Sequence, residues 1–179
     1  LDGTRQPWCD FFALLLWTGA RRSNLQALQW EQVDLRQGTL TIPASQHKNK
    51  RWHTVALSQP ALEILTRRHI QADDSPFVFP SYSKSGHIEE PKKAWKKVCE
   101  KAKLKNVRLH DLRRTLGSWQ AAAGVSLPVI AKTLGHQSQA TTEIYARLSL
   151  DPVREAVNKA TKAIQEAAKP TKKKKEEGK

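Results

Sequence analysis

The sequence predicts a mostly helical α+β domain that contains one small antiparallel β-hairpin. Apolar residues recur at helical spacing along most of the chain, which is typical of helices packed on a core. Two short runs, Thr39–Ile42 and Trp52–Leu57, have the composition of strands, and the polar, basic segment 44–51 between them predicts an exposed hairpin loop. At 179 residues, 39% of them hydrophobic, the chain is long enough to bury the core of one domain.

The first half of the chain is expected to combine this hairpin with several helices. The first helix is largely apolar and ends at Gly19, because glycine tolerates the left-handed conformation common at helix C-termini. We expect helices over 8–18, 23–29, 60–71 and 91–103, and a short strand at Phe77–Phe79. The six tryptophans are candidates to anchor the core.

The second half is predicted to be helical throughout, with Gly124 and Gly135 ending two of the helices. We expect helices over 110–123, 127–134, 138–148 and 152–167. The last one carries an apolar stripe at i, i+3, i+4 and i+7 spacing, formed by Val153, Ala156, Val157, Ala160 and Ile164. That stripe fits packing onto the chain's own domain and docking on a neighbouring molecule equally well.

The two ends of the chain differ in character. Residues 1–168 are expected to form one domain, and the Lys-rich residues 169–179 a basic disordered tail. The chain begins at Leu1 and contains no Met, so we interpret it as a fragment of a longer protein. The two cysteines, Cys9 and Cys99, do not make a disulfide framework, which favours free thiols in a reducing, cytoplasmic compartment.

The net charge of +14 is the first feature that bears on function. The tail contributes +4, so the body carries +10, which favours a polyanionic partner such as nucleic acid. An anionic membrane surface and simple solubility are the alternative explanations. No apolar run approaches the ~20 residues of a membrane span. The sequence has no Walker loop, GxGxxG turn, DxD pair or HExxH motif, which argues against nucleotide hydrolysis and metal-dependent nuclease chemistry.

Two structured segments carry candidate phosphate ligands. Arg21 follows Thr-Gly-Ala at the start of a helix, where its guanidinium and nearby backbone N–H groups can face an anion. His110 and Arg113 in LHDLRRT lie at i and i+3 on one helix face, so one can shuttle a proton while the other grips two oxygens. Plainer readings are a surface arginine on a turn and a structural histidine at a helix start that Asp111 stabilises.

Two further segments carry the remaining candidates. His136 lies in the turn after a glycine, and Tyr145 follows nine residues later, inside the next helix. A tyrosine in that position is ordinarily a core residue. Lys48, with Lys50 and Arg51, lies in the hairpin loop; such a loop is ordinarily solvated, but a flexible ammonium there can also reach a leaving oxygen.

The order of these segments resembles the tyrosine recombinase family, also called phage integrases. The family's motifs have counterparts here in the same order, from about Phe11 to Ile164. They are TGARRSNLQALQW, HKNKR, HDLRRT, LGH and a tyrosine nine residues after the histidine of LGH. The resemblance implies the family's catalytic-domain fold and a six-residue site: Arg21, Lys48, His110, Arg113, His136 and Tyr145. One position departs from the pattern, because Asn24 stands where the first motif often has an acidic residue; its amide can still hydrogen-bond. Lys50 is the alternative to Lys48 as the hairpin lysine.

These residue types suit phosphoryl transfer without a metal or another cofactor. Arg21 and Arg113 can clamp the non-bridging phosphate oxygens, and His136 can add a hydrogen bond as charge builds. The surrounding cations are expected to favour the phenolate of Tyr145, with His110 as general base and the hairpin lysine as general acid. The resemblance implies a 3′-phosphotyrosine intermediate and strand exchange when the 5′-hydroxyl of another strand attacks it.

The resemblance also implies partners and a setting. Double-stranded DNA at attachment sites is the expected substrate, bound by a homotetramer formed from free monomers, with DNA-bending or directionality factors as further candidates. Family members usually carry an N-terminal DNA-binding domain, absent here, and act in the bacterial cytoplasm or nucleoid. Non-specific phosphate contacts are expected from Lys50, Arg51, Lys92, Lys93, Lys96, Lys97 and Arg114. Two alternatives stay open: a type IB topoisomerase, and a non-catalytic DNA-binding module of the same fold.

Overall fold

The computed structural model describes residues 6–46, 50–136, 138, 140–146 and 150–167. Within these ranges the helices are α1 (Gln6–Thr18), α2 (Arg22–Gln26), α3 (Gln59–Ile70), α4 (Lys92–Lys101), α5 (Leu109–Ala122), α6 (Leu127–Leu134), α7 (Ala140–Glu143) and α8 (Leu150–Ala167). The strands are β1 (Val33–Asp34), β2 (Thr39–Ile42) and β3 (His53–Ala56), preceded by a 3-10 turn at Trp30–Gln32. The predicted α+β class is confirmed, and apart from α7 the predicted helices lie within three residues of the observed bounds.

Helix α1 is the centre of the larger core and packs against α2, α3 and α5. Its apolar run buries Phe11 completely, edge-on to Phe79 with ring centroids 5.4 Å apart. Burying a side chain of this size stabilises the fold by about 1.5–3 kcal/mol. Asp10, also buried, fixes α1 to α3 by accepting hydrogen bonds from Arg67 at 2.5 Å and Arg68 at 3.1 Å.

The sheet has the strand order β1-β2-β3, and all pairs are antiparallel. Strands β2 and β3 form the predicted hairpin, with Leu40 opposite Val55 and both side chains buried in the larger core. Strand β1 was not predicted, because only two residues pair there and so short a stretch has no alternating pattern to read. The hairpin loop contains residues 47–49, which lie outside the described residues.

The predicted strand at Phe77–Phe79 is wrong. Phe77 makes one isolated bridge to Gln29, and no further ladder forms there. Pro76 and Pro80 flank this segment, and a proline has no N–H to donate to a neighbouring strand. The segment instead packs Phe79 into the core as part of the connection between α3 and α4.

The expectation that the tryptophans anchor the core holds for only part of the set. Trp8, Trp30 and Trp95 pack against the larger core. The other three are largely exposed: Trp17 at 41%, Trp52 at 71% and Trp119 at 73%. The fully buried volume comes from phenylalanine and aliphatic side chains instead.

A smaller core lies between α5, α6 and the segment after α7. It consists of Ala121, Ile130, Leu134 and Tyr145. The two cores meet at the end of α1, where Gly19 has φ +62° and a Cβ would lie 2.8 Å from a Leu134 methyl carbon. Glycine tolerates both this φ and the close contact. It therefore allows the C-terminal ends of α1 and α6 to lie side by side.

The helix predicted over 138–148 is much shorter than expected. Helix α7 ends at Glu143, and the N–H of Tyr145 bonds the carbonyl of Thr142, three residues back, as in a 3-10 turn. The β-branched Thr141, Thr142 and Ile144 disfavour a longer helix. Tyr145 therefore follows the helix rather than lying inside it.

Helix α8 leaves its apolar stripe uncovered. Val153, Val157 and Ile164 are 54%, 57% and 69% exposed, so the domain leaves much of the stripe open, although Val153 and Ala156 line an open cavity with the segment 124–127. No helix in the described part of the chain is both long and apolar enough to span a membrane.

Candidate active site

The turn between α1 and α2 presents Arg21. After Gly19 reverses the chain, Arg21 takes the N-cap position of α2 with an extended backbone, φ −69° and ψ 143°. Its side chain is half-buried, and burial lowers the pKa of the guanidinium below its usual value. The predicted placement of Arg21 at a helix start is confirmed.

Arg113 is a buried guanidinium, 6% exposed, that joins two turns. Its Nη1 donates to the carbonyl of Gly19, and its Nη2 donates to the carbonyl of Leu134. Both carbonyls lie at helix C-terminal ends, where the helix dipole is negative and the backbone acceptors need partners. Burial, and then the charge of Arg21, lower the pKa of Arg113 to about 10, so it stays charged at neutral pH. Arg113 thereby ties the turn that carries Arg21 to the turn that carries His136.

His110 lies three residues before Arg113 on the same helix, α5. Partial burial, and then the charges of Arg113 and Arg114, lower the pKa of His110 below 6.5. The imidazole is therefore neutral at pH 7 and able to accept a proton. Asp111 holds the helix start as expected, by accepting a hydrogen bond of 2.9 Å from the backbone N–H of Arg108, and this bond lowers the pKa of the Asp111 carboxyl.

The turn after α6 presents His136. Gly135 has φ +63°, and His53 of β3 lies so close that a Cβ on Gly135 would be 2.9 Å from His53 Nε2. His136 Nδ1 is 3.0 Å from Oγ1 of the fully buried Thr142. When that hydroxyl donates to Nδ1, the ring carries its proton on Nε2. Burial, and then the charges of the two arginines, lower the pKa of His136 to about 4, so the ring is neutral at pH 7.

Tyr145 is 4% exposed and belongs to the smaller core. Its ring packs on α5 at Gly117, where a Cβ would lie 2.7 Å from Cζ and 3.0 Å from the hydroxyl oxygen. Burial raises the pKa of the Tyr145 phenol above 10, and the charges of Arg113 and Arg114 offset this only in part. The cations do favour the phenolate, as expected, but the burial of the phenol outweighs them, so the pKa of Tyr145 rises rather than falls.

Five of the six predicted catalytic residues form one electrostatically connected set: Arg21, His110, Arg113, His136 and Tyr145. They come from the α1–α2 turn, from α5 and from the segment that follows α6. Together they comprise two guanidinium groups, two neutral imidazoles and a phenol. The sixth residue, Lys48, lies outside the described residues. In the ranges that the structure describes, no cluster of three His, Cys, Asp or Glu side chains could hold a metal ion.

The residues predicted to contact DNA phosphates lie at the surface. The four α4 lysines in this set, Lys92, Lys93, Lys96 and Lys97, are all exposed. The opposite side of α4 packs Trp95, whose Nε1 donates to the carbonyl of Val107 at 2.9 Å. Lys50 and Arg51 are exposed beside the hairpin loop. Arg114 pairs with Asp111 at 3.6 Å, while 51% of its side chain stays exposed.

Sequence reasoning missed three residues that support the site: His53, Gly117 and Thr142. A readable signal existed for Gly117 alone, because it lies four residues after Arg113 and so on the same face of α5. The contact of His53 with Gly135 joins distant parts of the chain, and no local pattern announces it. Thr142 lies within a segment whose helix was predicted too long.

Asn24, which departs from the family's motif, is 5% exposed. Its Oδ1 lies 3.4 Å from the hydroxyl of Ser23, but its Nδ2 has no hydrogen-bond partner among the described atoms. A buried amide with an unsatisfied donor costs about 1–3 kcal/mol.

Known proteins resemble most of this chain in sequence. A profile of the family described as "Phage integrase family" matches residues 9–151. Tyrosine recombinase XerA of Pyrococcus furiosus is 32% identical over 151 residues, which cover 82% of this chain and 52% of the relative. The integrase of Salmonella phage P22 is 29% identical over 159 residues, which cover 83% of this chain and 41% of the phage protein. The chain spans about half the length of these curated relatives.

Solved structures show the same fold. The Tn1549 transposon integrase in complex with transposon right end DNA superposes with a TM-score of 0.73 at 16% identity, covering 89% of this chain and 60% of that chain. The catalytic domain of bacteriophage HP1 integrase superposes with a TM-score of 0.64 at 23% identity, covering 88% of this chain and 84% of that one. Identities this low establish the likeness of fold alone.

Proposed function

The chain belongs to the phage integrase family, and from that premise we propose that it is the catalytic domain of a site-specific DNA recombinase. Tyr145 is the proposed nucleophile, and the domain is proposed to cover residues 1–168. The observation that carries the proposal is the convergence of Arg21, Arg113, two neutral histidines and a phenol. These groups supply the charge stabilisation, the proton transfer and the nucleophile that phosphoryl transfer requires.

The two arginines are proposed to hold the scissile phosphate. Arg113 commits one N–H on each terminal nitrogen to a backbone carbonyl, and each of these nitrogens carries a second N–H. The carbonyls keep the guanidinium in place, so its remaining N–H groups are already oriented when a phosphate arrives. Arg21 supplies the second cation. His136 donates Nε2–H to a phosphate oxygen as negative charge grows there, in the tautomer that Thr142 supports.

In the cleavage step, the Tyr145 oxygen bonds to phosphorus while the bond from phosphorus to the 5′ oxygen breaks. The phenol starts protonated because burial raises its pKa, so a base is needed, and neutral His110 is the proposed acceptor of that proton. Lys48 is the proposed donor of a proton to the departing 5′ oxygen. The products are a 3′-phosphotyrosine and a 5′-hydroxyl, and attack by the 5′-hydroxyl of another strand rejoins the DNA without ATP.

Double-stranded DNA at attachment sites is the proposed substrate. The four α4 lysines named above, together with Lys50, Arg51 and Arg114, suit sequence-independent phosphate contacts. Four protomers are proposed to assemble on DNA, and the uncovered stripe of α8 suits docking on a neighbouring protomer. A cytoplasmic or nucleoid location follows from this substrate.

A suicide substrate tests the proposal. The full-length protein is incubated with a nicked duplex that carries its attachment site, so that the short strand released after cleavage diffuses away and the covalent complex accumulates. Wild-type protein is expected to give a covalent protein–DNA adduct, and Tyr145→Phe none at equal DNA binding. A wild-type protein that binds the site without forming an adduct would leave only a DNA-binding module.

A second assay separates recombination from strand relaxation. Two labelled duplexes carrying the site are expected to exchange strands in the presence of wild-type protein. Relaxation of a supercoiled plasmid without exchange between duplexes would favour a topoisomerase of type IB instead.

A further inference from the structure

We propose that Gly117 is a positioning residue for the nucleophile: its missing side chain provides the seat that fixes the Tyr145 ring beside Arg113. This inference rests on the proposed function, since it concerns how the tyrosine is aimed. It assigns a role in the reaction to a residue that carries no reactive group.

The seat continues the catalytic face of α5. His110, Arg113, Gly117 and Ala121 lie at i, i+3, i+7 and i+11, which places them along one side of the helix. The last three of them are buried. The first two positions carry the phosphate-handling groups, and the next two carry almost no side chain. The ring of Tyr145 occupies the space that this leaves.

The contact is close at the reactive end of the ring. A Cβ built on Gly117 would lie 2.7 Å from Cζ, 3.0 Å from Cε2 and 3.0 Å from the hydroxyl oxygen of Tyr145. Even a methyl group at this position therefore displaces the atoms that must be aligned with the phosphate. The ring is 4% exposed and belongs to the same buried cluster as Ile130 and Leu134, so moving it disturbs a packed core.

The backbone gives no reason for a glycine at this position. Gly117 lies in the interior of α5 and does not have a positive φ. Glycine weakens a helix interior relative to alanine. A helix that tolerates this residue on its buried face does so because of the contact it allows, and the contact here is with the nucleophile.

A thermal-stability cycle tests the seat without DNA. Gly117→Ala is made in the wild-type chain and in Tyr145→Leu, a substitution that removes the three atoms in contact while keeping the site apolar. We expect Gly117→Ala to raise the Tm by about 2–4 °C in the Tyr145→Leu background, where only helix propensity acts, and to lower the Tm in the wild-type chain. Equal changes in both backgrounds would overturn the proposal. Ser118→Ala, the next residue of the same helix, should change the Tm equally in both.

The ring itself can be followed, because the chain contains only two tyrosines. Tyr82 is fully exposed, so Tyr82→Phe leaves Tyr145 as the single tyrosine signal in a fluorotyrosine-labelled chain. Gly117→Ala is expected to move that resonance toward the position of a solvent-exposed tyrosine, and Ser118→Ala to leave it in place. An unmoved resonance in Gly117→Ala would contradict the seat.

Single-turnover cleavage tests the positioning. On a nicked duplex that gives an adduct with wild-type protein, Gly117→Ala is expected to form the adduct about 10–100-fold more slowly with an unchanged Kd for the same duplex. An unchanged rate would overturn the proposal. A faster rate would also overturn it, because it would mean that the contact with Gly117 holds the tyrosine away from its reactive position. If wild-type protein forms no adduct, the proposed function fails, whereas failure of the seat alone appears as an active Gly117→Ala protein or an absent stability coupling.

Discussion

Replacing Arg113 by lysine separates the charge of this residue from its geometry. The guanidinium donates to the carbonyls of Gly19 and Leu134, which are 94 and 21 residues from it in sequence, respectively. A lysine keeps the charge but loses the rigid planar fork in which two separate nitrogens each donate to one carbonyl. Hydrogen bonds from charged groups contribute about 1.5–3 kcal/mol each, so Arg113→Lys should lower the free energy of unfolding by about that amount.

That loss corresponds to a Tm lower by about 3–12 °C, since 1 kcal/mol shifts the Tm of a domain of this size by about 2–4 °C. The matched control is Arg114→Lys, next in the chain, because Arg114 is 51% exposed and its ion pair in the described part of the chain is with Asp111. Its expected change is below about 0.5 kcal/mol. Differential scanning calorimetry of both variants makes the comparison. A Tm of Arg113→Lys equal to that of Arg114→Lys would refute the view that Arg113 joins the two turns.

Three further predictions follow from the site. The pKa of His136 is lowered to about 4 from 6.5, so the contribution of the neutral ring to stability is complete above pH 6.5 and is lost as the pH falls toward 4. The drop in Tm between pH 7.5 and pH 4.5 should therefore be smaller in His136→Asn than in the wild-type chain. An equal drop would contradict the burial of a neutral ring. Thr142→Val removes the hydroxyl next to His136 Nδ1, so the free energy of unfolding should fall by about 1 kcal/mol and the adduct should form more slowly. Thr142→Ser keeps a hydroxyl and should restore the rate. A wild-type rate in Thr142→Val would show that the hydroxyl has no part in the reaction. Lys97→Ala should lower the slope of log Kd against log salt by about 0.9 if that lysine neutralises one DNA phosphate, and an unchanged slope in a titration by fluorescence anisotropy would remove Lys97 from the interface.

Local patterns explain what could be predicted from the sequence. The spacing of His110 and Arg113 places them on one face of a helix whatever the rest of the chain does. The apolar run of α1 and the β-branched runs of the hairpin likewise predict their own structure. The proximity of Arg21 to the face of α5 that carries His110 and Arg113 is not a local property. It was expected only because the order of motifs resembles a known family.

The rest depends on packing between distant segments. The bonds of Arg113 to Gly19 and Leu134 exist only once α1 and α6 end side by side. The pKa of Tyr145 was expected to fall because the cations around it can be counted in the sequence, whereas the burial that raises it cannot. The shortened α7 is a different case, because the β-branched residues that disfavour a longer helix are visible in the sequence.

The measurement that tests the central claim most directly is the chemical identity of the covalent link. The adduct formed on the nicked duplex is digested with protease and nuclease, and the remaining peptide–nucleotide conjugate is sequenced by mass spectrometry. The expected conjugate is the peptide that contains Tyr145, joined through its phenol oxygen to a 3′-phosphate, with a free 5′-hydroxyl on the other DNA product. A link to another residue, or to a 5′-phosphate, would contradict the assignment of Tyr145 as the nucleophile.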